Sequence, residues 1–88
     1  MTRIVITHDV VDIERWLTGK DERSAVIGSI GTDVTDHVAM DDSNRVAVSA
    51  AIHDMDAVRA LLDSPPPEVA AQMEAHGVIP PLTVYIEK

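Results

Sequence analysis

Four apolar residues at every second position, Val46, Val48, Ala50 and Ile52, constrain this chain more than any other feature. Strict alternation over Arg45–Ile52 predicts a strand that buries one face. The preceding Asp41-Asp42-Ser43-Asn44 is a turn by composition. Thr32 to Met40 reads as the strand before that turn, so the two strands make an antiparallel hairpin.

The flanking segments read in the same way. Arg3 to His8, rich in Ile and Val, predicts strand 1. Asp9 is the expected N-cap of the following helix, with Asp12 in its first turn, where a helix dipole favours negative charge. Val10, Ile13, Trp16 and Leu17 fall on one helical face, Gly19 interrupts the helix, and a helical segment resumes before Gly31. After the hairpin, Asp54 caps a helix carrying Met55, Val58, Leu61 and Leu62. Ser64-Pro65 predicts a restart, with Ser at the N-cap and Pro at the first helical position. That helix carries Val69, Ala70 and Met73 and stops at Gly77, with His76 in its last turn. Pro80-Pro81 blocks further helix, and Leu82 to Ile86 is the expected last strand. The order β-α-β-β-α-β predicts an α+β, ferredoxin-like sandwich: a four-stranded antiparallel sheet with helices on one face. The other sheet face is then open, and a second copy is the expected cover.

Composition narrows the partners. The 88 residues are expected to form one domain, 1–88, with no cysteine to staple it. The net charge of −8 repels phosphate backbones and anionic membranes, so neither nucleic acid nor membrane is an expected partner. No apolar run approaches the roughly 20 residues of a membrane span. No secretory leader is read at the amino terminus, so the cytoplasm is the expected location. There is no Phe, one Trp and one Tyr. A large aromatic-lined pocket for haem or flavin is hard to build from that inventory, and no bound cofactor is expected.

An ordered set of residues carries a resemblance. It comprises His8, Val10, Asp12 and Trp16 in the first β-α unit, and Asp42, Asn44, Arg45 and Val46 at the hairpin. Asp54, Asp56 and Ala60 follow, and then Ser64, Met73, Gly77-Val78 and Pro81. With these the chain resembles the dimeric α/β barrel superfamily, and within it small bacterial "cyclase" and antibiotic-biosynthesis-monooxygenase-like proteins. The resemblance implies a homodimer whose two sheets face each other. It also implies a small-molecule site between the sheet and helices of one subunit. The short first helix, broken at Gly19, and the scarcity of aromatic residues point away from a bulky polycyclic substrate.

Candidate chemistry lies at the strand ends. Thr7-His8-Asp9-Val10 is echoed by Ile52-His53-Asp54-Met55. With strands 1 and 3 taken as adjacent and parallel, both His-Asp pairs fall at one sheet edge, where two imidazoles could bind a metal or relay a proton. Strand parity argues against this, because His8 shares a face with Ile4 and Ile6 whereas His53 is out of phase with Ile52. His8 alone is therefore the preferred catalytic candidate, as a general acid or base facing the sheet–helix gap, with Trp16 as pocket wall. His53 is a further candidate for substrate binding. The competing structural reading has His8 bonding a backbone carbonyl and Trp16 as core. Asp36 shares a face with Val34 and Val38. A carboxylate there is costly unless paired, which makes it a second candidate base. The alternative is a bulge or edge position where it reaches water. His37 and Thr35, like Thr83 and Tyr85, are expected on the dimer face.

Other functions of this fold lack their residues. There is no Cys pair for metal carriage, no aromatic basic sheet for RNA and no Gly-rich phosphate loop after a strand. The expected function is a dimeric small-molecule protein, cyclase- or monooxygenase-like. The alternative is a non-catalytic ligand-binding or assembly domain.

Overall fold

Alternation along Arg45–Ile52 does produce a strand with one continuous buried face, although Ser49 on the other face is buried as well. In the computed structural model, which describes residues 1–88, this segment is β3, and Val46, Val48, Ala50 and Ile52 are all buried. Around it stand β1 (Thr2–Val10), α1 (Ile13–Leu17), α2 (Lys20–Gly28), β2 (Gly31–Val38), α3 (Met55–Asp63), α4 (Pro67–Ala75) and β4 (Val78–Ile86). The sheet order is β2-β3-β1-β4. All three pairings are antiparallel.

The antiparallel pairing of β1 with β3 corrects the parallel arrangement expected above. Helices α1 and α2 carry the chain across so that β2 runs with β1. The tight turn after β2 then reverses β3 against both. In the resulting register His8 lies opposite Val46, whereas Thr2 lies opposite Ile52. His8 and His53 are therefore at opposite ends of the sheet.

Helix boundaries follow local chemistry, with two shifts. Asp9 stays in β1, opposite Arg45. The cap of α1 is Asp12 instead, whose carboxylate accepts from the Arg15 backbone N–H at 3.2 Å. Asp54 caps α3 as expected, accepting from the Ala57 N–H at 3.1 Å. The last helix starts later than Ser64-Pro65 suggested. A residue before proline is driven out of the helical region, and Pro65, Pro66 and Pro67 are consecutive. Pro66 is thus extended (φ −56°, ψ 152°), and Pro67 takes the first helical position. Gly77, at φ 72°, ends this helix in the left-handed region that glycine occupies at least cost.

β4 starts four residues before the expected Leu82, at Val78. Pro80 and Pro81, joined by a cis peptide, are accommodated because β4 is an edge strand and its register with β1 shifts between Thr7 and Asp9. The helices cover the inward face alone. Ile4, Ala50 and Ile52 pack with Val58 of α3, and Val10, Val46 and Val48 pack with Trp16 of α1. No helix is long and apolar enough to cross a membrane.

Candidate functional site

The helical layer does not close evenly on the sheet. α2 packs chiefly on β2 and α4 chiefly on β4. Between them lies a cavity of about 400 Å³, within the range of small-molecule sites. Of its 21 lining residues 15 are hydrophobic, so it suits a ligand that is mostly apolar. Four polar side chains reach its wall: His8 from β1, Arg23 from α2, and Gln72 and His76 from α4 and its cap.

His8 reaches the cavity because it shares the inward parity of Ile4 and Ile6, which also line it. Its neighbours fix its protonation. Nδ1 is 2.9 Å from the Asp9 carbonyl oxygen. A carbonyl only accepts, so the ring proton sits on Nδ1 and Nε2 keeps its lone pair. Burial lowers the His8 pKa from 6.5. The Asp9 backbone hydrogen bond opposes this, the Arg23 charge adds to it, and the Asp9 carboxylate opposes it again. The ring at neutral pH is an uncharged base. Its Asp9 bond is the carbonyl contact of the structural reading, yet His8 also lines the cavity.

Trp16 is wholly buried, and its indole N–H has no acceptor. It meets His8 edge-on, with ring centroids 6.0 Å apart and planes at 75°. On its other contact the Arg23 guanidinium carbon stands 3.9 Å from the ring centroid, a cation–π geometry. Trp16 is thus both core residue and cavity wall.

Asp36 is not an available base. Both its oxygens accept from Arg23, Oδ1 from Nε at 3.2 Å and Oδ2 from Nη2 at 2.8 Å. Its side chain is only 5% exposed, and it does not line the cavity. The pairing meets the cost of a carboxylate on an apolar face. β2 is an edge strand, as the alternative reading had it, but Asp36 does not reach water there. His53 is a second correction. It is exposed beyond the far end of β3 and takes no part in the cavity. The His8–His53 metal or relay site falls with it. No group of three or more His, Cys, Asp or Glu side chains is gathered for a metal.

Arg23 and Gln72 are not singled out in the sequence, and His76 is read there only as a residue of the last helical turn. A signal was present in helical spacing. Arg23, Val26, Ile27 and Ile30 recur at i, i+3, i+4 and i+7, as do Val69, Gln72, Met73 and His76, and all eight line the cavity. On the opposite sheet face, His37 Nε2 lies 3.0 Å from Ser49 Oγ, and Tyr85 is exposed.

Element order, antiparallel pairing and one-sided helices decide the architecture. The chain has the ferredoxin-like fold. Among solved structures, this ferredoxin-like chain superposes on a protein from Bordetella bronchiseptica provisionally named an antibiotic biosynthesis monooxygenase. The TM-score is 0.70 at 11% identity, over 99% of this chain and 94% of that one. A protein from Agrobacterium tumefaciens matches with TM-score 0.68 at 17% identity, over 100% and 92%. A dimeric ferredoxin-like protein from an uncultured marine organism matches with TM-score 0.58 at 10% identity, over 99% and 96%. The name of the first is of the kind the sequence resembles, and the third shares the ferredoxin-like fold by name. No protein-family model and no curated protein matches the sequence.

Proposed function

We propose that this protein is a homodimer that binds a small, mostly apolar molecule bearing a carbonyl or hydroxyl group, and that His8 accepts a proton from it. The reaction is of the cyclase- or monooxygenase-like type. The observation that carries this reading is the cavity of about 400 Å³ beside an imidazole whose Nδ1 proton is tied to Asp9. Such a ring offers Nε2 to a ligand hydroxyl or an acidic C–H. The names of structural neighbours support the reaction type.

The open sheet face supports the homodimer. By strand parity its middle holds Val5, Thr7, Ala47, Ser49, Thr83 and Tyr85. None of these is charged, in a chain of net charge −8. An uncharged patch on so acidic a surface suits a second copy, which would otherwise be repelled.

The alternative, a non-catalytic ligand-binding or assembly domain, has one observation on its side: His8 already has a backbone partner. Calorimetric titration with 1-naphthol tests whether His8 belongs to the site. Replacing His8 with Ala is expected to leave a folded protein that binds 1-naphthol about tenfold more weakly, the effect of one lost hydrogen bond. Unchanged affinity would remove His8 from the site.

A further inference from the structure

We infer that His76 is a second ligand-contacting residue of this cavity, acting from the helix side against His8 on the sheet side, and that the pair selects apolar molecules carrying two oxygen groups. This rests on the reading of the cavity as a small-molecule site.

His76 is only 9% exposed, and it lines the cavity. Its ring nitrogens are not among the fully enclosed unpartnered polar atoms, which are Trp16 Nε1 and Ser43 Oγ, so they are open to water or to a guest. Its nearest ionic group, the Glu22 carboxylate, stands 3.7 Å from Nε2, beyond hydrogen-bond reach. Glu22 therefore leaves the hydrogen-bonding capacity of the ring open.

The chain makes room for this ring at a definite place. The break between α1 and α2 falls at Gly19, and a Cβ there would overlap the His76 imidazole. Any other residue at position 19 would displace the ring. Gln72, one helical turn before His76, lines the same cavity and adds an amide donor and acceptor.

Charge bookkeeping narrows the ligand. Arg23 is engaged by Asp36 and by the Trp16 carbonyl, which accepts from Nη1 at 3.2 Å. The Trp16 indole N–H, although without an acceptor, is fully enclosed and out of a guest's reach. That leaves His8 on the floor, and His76 with Gln72 on the roof, as the polar contacts an apolar guest would meet. A guest with a single oxygen satisfies one layer only. A rigid skeleton with two separated oxygens satisfies both.

Calorimetry with 1-naphthol and with the 1,5-, 2,6- and 2,7-dihydroxynaphthalenes tests this. Wild type is expected to prefer at least one diol over 1-naphthol by about tenfold. His76→Leu is expected to lose that preference, and His76→Gln to keep part of it. A preference retained in His76→Leu, an equal loss of both ligands, or no preference in wild type overturns the inference and leaves the role of His8 standing. No binding of 1-naphthol by wild type overturns the cavity reading and this inference together. Imidazole resonances of the unaltered protein supply a readout that needs no variant. Saturation with the preferred diol is expected to shift both His8 and His76. A shift of His8 alone contradicts the inference.

Discussion

Arg23 and Asp36 form a two-pronged ion pair inside the protein, closed at 3.2 and 2.8 Å and almost wholly shielded from water. Breaking such a pair strands the surviving charge. Asp36→Asn is expected to cost about 3–5 kcal/mol of stability. Replacing both residues with Leu is expected to cost less than that single change, because no charge is left buried. Urea denaturation of the two variants checks the order. A double variant less stable than Asp36→Asn would contradict it.

The pH dependence follows from His8. Burial lowers its folded pKa below the ordinary 6.5, an effect the Asp9 carbonyl opposes and Arg23 reinforces. Between the two values the unfolded chain binds the extra proton, so stability rises with pH across that window. Wild type is therefore expected to lose stability as pH falls below about 6.5. His8→Gln, measured by denaturant midpoint, is expected to lose less over the same interval. Parallel curves would show that His8 titrates alike in both states.

Two glycines are expected to respond in opposite directions to a methyl group. Gly19→Ala forces the His76 ring from its place and should cost about 1–3 kcal/mol, as overpacking does. Gly28 closes α2 with nothing within 4 Å of an added Cβ. Gly28→Ala should stabilise by about 0.4–1 kcal/mol. Thermal melts of the two variants read both signs.

Val5 sits in the uncharged middle of the open sheet face, between Ser49 and Tyr85. Val5→Lys places a charge where two copies are proposed to meet. Light scattering is expected to find wild type dimeric and Val5→Lys monomeric at micromolar concentration. A monomeric wild type would contradict the proposed assembly.

Much of this fold is legible because the signals are local. Alternation places β3 to the residue, Asp54 caps α3, and Gly19 divides the first helical stretch. Errors arise where a distant neighbour decides. Pro80 and Pro81 do block helix, but the strand read from Leu82 starts before them, at Val78, because an edge position and a register shift accommodate both prolines. The strand direction that separates His8 from His53 depends on the crossover, not on either residue. His8 was legible through its parity with Ile4 and Ile6. Arg23 was not, because its partner Asp36 lies on another element and its place over Trp16 appears only when helix meets sheet. The cavity exists because α2 and α4 settle on outer strands, which no single segment encodes.

Long-range proton–nitrogen spectroscopy of the His8 ring at pH 7 tests most directly whether an uncharged base faces a binding cavity. The expected spectrum is a neutral imidazole with its proton on Nδ1, and an Nε2 resonance that moves as 1-naphthol is added. A charged ring, a proton on Nε2, or an Nε2 signal indifferent to saturating 1-naphthol would contradict it.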